Sequence, residues 1–147
     1  FSRVTCVLAL QNVEHYQGVF DNMSRHLAIH GVGIIVINHP SFRIPRQTSW
    51  GTDEQNKLQY RKVNRYLSPL KIPITMMPGQ GQRSPITWSF HEPLSAYING
   101  LSAVGLLTSH IEEWSSDKES EGKFGKMENR ARGEIPLFMA IVVKKLE

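Results

Sequence analysis

Two uninterrupted apolar runs bracket the first forty residues and restrict the fold more than any other feature. "VTCVLAL" (4–10) and "GIIVINH" (33–39) are each seven residues long and partly β-branched. Runs of that length without polar alternation read as strands buried on both faces, the habit of parallel sheets. Between them Val19, Phe20, Met23 and Leu27 fall one, three and four apart, on a single helical face. Asp21 suits the positive N-terminal end of that helix, and Gly31 can take the left-handed conformation that closes it. Strand–helix–strand with parallel strands implies a right-handed crossover and a sheet covered by helices on each side.

The rest of the chain continues the α/β alternation after an interruption. Thr52 with Gln55 predicts a capping box that starts a helix through "DEQNKLQYRKVNRYL", ending before Ser68-Pro69. Its mixed face, Tyr60, Val63, Tyr66 and Leu67 against Lys57, Arg61, Lys62 and Arg65, reads as a surface or lid helix. "KIPITMM" and "ITWSFH", joined by the turn-rich "PGQGQRSP", predict a small hairpin whose first strand Pro73 confines to an edge. Leu94, Tyr97, Ile98, Leu101 and Val104 mark a helix that Gly105 stops, and "LLTSHIEEW" follows as a strand. Residues 115–134 are a polar excursion with helix around "KMENRAR", and "LFMAIVV" is a buried closing strand. The expectation is one α/β domain over residues 1–147 with a lid-like insertion at about 52–90.

Composition excludes several classes. With 147 residues, 40% hydrophobic and 20% charged, the chain can bury a core and is neither disordered nor fibrous. No apolar run approaches the roughly 18 residues of a membrane span, and "FSRVTCVLAL" lacks the layout of a signal peptide. A single cysteine, Cys6, permits no internal disulfide, fits a reducing cytoplasm and reads as a small buried side chain. The net charge of +4 is a mild surplus, and acids scattered among the basic residues speak against a nucleic-acid module. There is no paired-cysteine metal site, no HExxH and no Gly-x-Ser-x-Gly elbow, and "GQG" at 79–81 is too short for a nucleotide loop. His15, His26, His30 and His110 have no ligand spacing and read as surface residues.

Three stretches carry candidate chemistry. "LQNVE", Leu10 to Glu14, lies at the carboxyl end of the first strand, the edge where open α/β sheets bind ligands. Its plain alternative is a strand-to-helix connection. "NHPSFRIPRQTSW" leaves the second strand at the same edge and brings His39, Arg43, Arg46 and Trp50. Arginines grip carboxylate or phosphate as a fork, and tryptophan covers aromatic or cationic groups. The alternative pairs those arginines with Asp53 or Glu54. "TWSFHEPLSAYINGL" places His91 and Glu92 just before a helix that Pro93 opens. His91 is then either a base or a helix-entry hydrogen bonder.

In order and spacing, "VLALQNVEHYQGVFDNMSRHLAIHGVGIIVINHPSFRIPRQTSW", "TWSFHEPLSAYINGLSAVGLLTSHIEEW" and "RARGEIPLFMAIVVKK" resemble the second half of a class I S-adenosylmethionine-dependent methyltransferase of the type 11 group. Glu92 stands where that family has Arg, Trp114 where it has Pro, and Val32 where a glycine-like position is usual. The resemblance implies the C-terminal half of a Rossmann-like methyltransferase sheet, mostly parallel with an antiparallel closing strand. It places the chain's first strand about where the family's fourth would stand. The family's glycine-rich cofactor loop and ribose-binding acid have no counterpart in the sequence.

What the resemblance implies for function is S-adenosylmethionine-dependent methyl transfer to a small-molecule acceptor, by a fragment inactive alone. Leu10 and Gln11 would line the cofactor, while Asn12 and Glu14 face the methyl group. His39 would be the first candidate base and His91 the second, with Arg43, Arg46 and Trp50 binding substrate. The partner would be the missing N-terminal half or a second copy at the exposed sheet edge. The competing readings are a basic nucleic-acid-binding module, a non-catalytic interaction remnant and a nicotinamide-dependent oxidoreductase.

Overall fold

The computed structural model describes residues 1–146. The opening folds as strand β1 (Arg3–Val7), helix α1 (Tyr16–His26) and strand β2 (Val32–Asn38), with β1 and β2 parallel from Arg3↔Val32 to Val7↔Val36. β1 is shorter than its apolar run: Leu8 turns out of the strand at φ 51°, and Leu10–Asn12 form a single 3-10 turn. Two expected helix signals sit elsewhere. Asp21 lies mid-helix because α1 begins at Tyr16. The left-handed residue after α1 is His30 (φ 62°), while Gly31 serves close packing: a Cβ there would fall 2.7 Å from both the Ala28 carbonyl oxygen and the Leu27 side chain. Lys145 then closes the helix, its Nζ donating to the carbonyls of Ser24 (2.7 Å) and Leu27 (3.2 Å).

The interruption folds as two hairpins. Strands β3 (Thr48–Asp53) and β4 (Leu58–Val63) replace the predicted lid helix. Asp53 Oδ1 accepts the Asn56 amide at 3.0 Å and Lys57 sits at φ 53°, so the turn chemistry of Asp53–Lys57 prevails over the capping box. Thr52 is a strand residue paired with Gln59. The second hairpin, β5 (Leu70–Thr75) and β6 (Ile86–His91), is as expected, and Pro73 sits in a two-stranded ribbon in which both strands are edges. Helix α2 (Leu94–Ala103), stopped at Gly105 (φ 77°), strand β7 (Leu106–Trp114), helix α3 (Gly125–Glu134) and strand β8 (Phe138–Lys145) complete the order.

The main sheet runs β1-β2-β8-β7. The closing strand β8 is antiparallel to both neighbours, as expected; because it lies between β2 and β7, only one pairing of three is parallel and the sheet is mixed, where a mostly parallel one was expected. The reason is connectivity. β8 follows β7 and pairs beside it, and an antiparallel return needs no helix crossing the sheet, so α3 in that connection is free to pack elsewhere. A second correction concerns the layers. The core joins Phe20, Met23 and Leu27 of α1 and Tyr97 and Leu101 of α2 with Ile35, Ile37, Met139, Ile141 and Val143, all on one sheet face. α3 packs on β4 instead. The opposite face stays open, with Val7 58% and Leu107 43% exposed. Phe20, Leu101 and Ile141 have no exposed surface, and burial of each contributes about 1.5–3 kcal/mol.

Candidate active site

Beyond Val7 the two parallel strands diverge, and a side chain fills the gap. The last backbone bond is from Leu8 N–H to the Val36 carbonyl (2.8 Å). Gln11 then takes over: its Oε1 accepts the Asn38 N–H at 2.9 Å and its Nε2 donates to the Asn38 carbonyl at 3.1 Å. The amide thus replaces the peptide that a longer β1 would present. Leu10 buries its side chain in the core at 1% exposure, leaving only its backbone toward the strand end. Asn12 is exposed and donates to the Leu8 carbonyl at 3.3 Å. Glu14 Oε1 meets Lys71 Nζ of β5 at 3.1 Å, an exposed pair of small energetic weight.

Beside Gln11 stands a polar cluster of which the sequence had pointed only to Glu92. The rings of Tyr16 and Tyr97 meet edge to face at 5.3 Å, and Tyr97 is 1% exposed. Burial, and then the charge of Glu92, raises the pKa of both hydroxyls; for Tyr97 the Glu92 backbone and the Gln11 side chain pull the other way. Burial also raises the Glu92 carboxyl. Among the described residues Glu92 takes part in no ion pair. A tyrosine inside an apolar helical stripe is the one local hint of this cluster, since its hydroxyl needs a partner.

Both histidines singled out from the sequence are buried at 3% exposure. His39 Nδ1 accepts the Ser41 N–H at 3.1 Å, so Nε2 carries the proton and donates it to Glu113 Oε1 at 2.8 Å. Its backbone N–H donates to the Leu137 carbonyl at 2.9 Å, so the residue ties the end of β2 to the end of β7 across β8. His91 Nε2 donates to the Tyr66 carbonyl at 2.7 Å, and burial lowers its pKa against that bond. The Tyr66 hydroxyl in turn accepts the Leu94 N–H at 3.1 Å, at the first turn of α2.

The loop after His39 is folded down by Arg61, another residue not anticipated. Arg61 Nε donates to the Phe42 carbonyl at 2.7 Å and its Nη2 to Thr48 Oγ1 at 3.0 Å, while its guanidinium lies 5.0 Å from the Trp50 ring centre. Burial, and then the charge of Arg43, lowers its pKa. Arg43 lies 4.5 Å over the Phe138 ring, and Arg46 is exposed at φ 61°. The structure therefore brings Gln11 together with Glu92 and Tyr97, and Arg43 and Trp50 together with Arg61. No hydrogen bond or ion pair among the described residues joins these two groups. Nor do the described residues hold a group of three or more potential metal ligands, and no helix is long and apolar enough to cross a membrane.

No protein-family model and no curated protein matches this chain. Solved structures do. Over its whole length the chain is similar to a protein from Listeria monocytogenes described as an S-adenosylmethionine-dependent methyltransferase, with 23% identity, a TM-score of 0.74 and 62% of that chain covered. A second such methyltransferase, from Mesorhizobium loti, matches 98% of the chain at 20% identity and a TM-score of 0.68, with 61% of its own length covered. An amino pentose methyltransferase from Micromonospora echinaspora, solved with S-adenosylmethionine, matches 99% at 14% identity and a TM-score of 0.53, with 58% of its length covered. At these identities the likeness shows the fold, and the fold is that of S-adenosylmethionine-dependent methyltransferases. The chain spans about three fifths of the length of the structures it matches.

Proposed function

We propose that this chain serves methyl transfer from S-adenosylmethionine to a small-molecule acceptor, as part of a class I methyltransferase. One juxtaposition supports the reading. In a fold shared with such enzymes, the half-buried Glu92 carboxylate and two tyrosines lie beside the Gln11–Asn38 splice, at the carboxyl ends of parallel β1 and β2. Open α/β sheets bind ligands at that edge. A positively charged sulfonium fits a crevice that offers a carboxylate without a paired cation. When bound, the cofactor supplies a methyl group on a sulfonium, open to displacement by a nucleophile.

In this reading the Leu10 and Gln11 backbone lines the cofactor, and the Gln11 side chain keeps the two strand ends at a fixed spacing. Exposed Asn12 and Glu14 face the acceptor. Glu92, whose proton affinity burial raises, takes the acceptor's proton where the nucleophile carries one. His39 and His91 are positioning residues, since their Nε2 protons are committed to Glu113 and Tyr66. Arg43, Arg46 and Trp50, with the two hairpins, form the acceptor side of a lid. Alignment of acceptor and methyl group then lowers the barrier, by up to about 7–11 kcal/mol in favourable cases.

The open sheet face and the free edge of β1 belong, in the same reading, to the further structure by which longer methyltransferases exceed this chain. At that edge a cavity of about 390 Å³, lined by Val4, Cys6, Val19 and Met23, receives it. Calorimetric titration of S-adenosylmethionine and a methyl-release assay test the proposal on the polypeptide as it occurs in the cell. Binding of the cofactor, with transfer lost in Glu92→Gln, is the expected result. Absence of cofactor binding overturns the reading.

A further inference from the structure

Between the β3–β4 turn and α3 lies a cleft of about 740 Å³, a size usual for small-molecule sites. Lys57, Lys123, Lys126 and Arg130 line it, against one carboxylate, Glu54. The nearby acids are committed elsewhere. Asp53 accepts the Asn56 amide and side chain at 3.0 and 2.8 Å, and Glu128 pairs with Arg132 at 3.5 Å. The walls are tied together, since Arg130 Nη2 donates to the Lys57 carbonyl at 3.1 Å. Phe124 and Met127 give the cleft an apolar lining, and the Lys123 ammonium lies 5.0 Å from the Phe124 ring centre.

The fold does not call for this concentration of charge. α3 buries Met127 and Ala131, while Lys123, Lys126 and Arg130 stay exposed and repel one another. Ammonium groups beside an aromatic surface suit an anion carried on an aromatic body, which would satisfy both linings. We propose that this cleft binds a small molecule bearing a phosphate or carboxylate on an aromatic body. It shares no lining residue with the Gln11–Glu92 cluster; only its Glu54, Asn56 and Lys57 wall belongs to a hairpin that the methyl-transfer reading also uses.

Phenyl phosphate is the probe, with inorganic phosphate as the comparison, titrated by calorimetry into the protein at low and raised salt. Phenyl phosphate is expected to bind more tightly than inorganic phosphate, and raised salt is expected to weaken both. The Lys123→Ala/Lys126→Ala double variant, both residues being exposed, keeps its circular dichroism spectrum and weakens phenyl phosphate about tenfold. Phe124→Ala removes the preference for the phenyl group while leaving inorganic phosphate in place. Equal binding of the two probes to the native protein, or undiminished binding to the double variant, overturns the proposal.

Discussion

Replacing Gln11 by methionine keeps the reach of the side chain and removes its amide. Two backbone groups of Asn38 then lose their partners: an N–H held at 2.9 Å and a carbonyl at 3.1 Å. A hydrogen bond of this kind contributes about 0.5–1.5 kcal/mol net, and a buried group left bare costs about 1–3 kcal/mol. Gln11 and Asn38 are half-buried, so water restores part of the loss, and roughly 2 kcal/mol remains. That is a sizeable share of a total near 5–15 kcal/mol. With a urea slope of about 1–3 kcal/mol per molar, the unfolding midpoint falls by about 1 M. Hydrogen exchange adds a local readout: the Asn38 amide loses protection beyond the global decrease, while Ile35 and Ile37 follow the global decrease alone. Gln11→Glu falls between, because it keeps an acceptor for the N–H but sets a carboxylate against the carbonyl. A change under about 0.5 kcal/mol with Asn38 exchange unaltered would refute the idea that Gln11 splices the two strands.

Further outcomes follow from the same geometry. Burial holds the His91 pKa below 6.5, so the unfolded chain binds the extra proton and stability declines as pH drops through 6.5 and below; His91→Gln flattens that limb in a pH series of thermal melts. Glu92 has the opposite sign. Its pKa is raised from 4.5, so its contribution is present at low pH and lost as pH climbs through the raised value, and Glu92→Gln is expected to melt higher at pH 7 while abolishing transfer. Arg61→Met removes the donors to Phe42 and Thr48, costs about 1–3 kcal/mol and speeds limited proteolysis at residues 40–47. Val7→Lys, at a side chain 58% exposed on the open sheet face, changes the stability of the 147-residue chain by less than about 0.5 kcal/mol. A loss several times larger in the same melts would refute the reading of an open face.

Residue order alone specifies the main elements. Each apolar run buries side chains wherever it is placed, so β1, β2, β8 and the helical stripes of α1 and α2 announce themselves through local spacing. The ligand edge is legible too, because parallel strands point their carboxyl ends the same way and put Gln11, Asn12 and His39 there. Three decisions belong to the packed structure. The Asp53–Lys57 turn sets Trp50 against Arg61 across a hairpin, a pairing that helical spacing does not contain. An apolar run says that a strand is buried but not by what, so both helices could settle on one face and leave Val7 in the open. The candidate site depends on contacts between distant residues: Gln11 with Asn38, 27 positions on, and Glu92 and Tyr97 packed against Tyr16. Periodicity is a property of neighbours along the chain, whereas a carboxylate's environment and a side-chain amide's partners are set only when remote segments close over them.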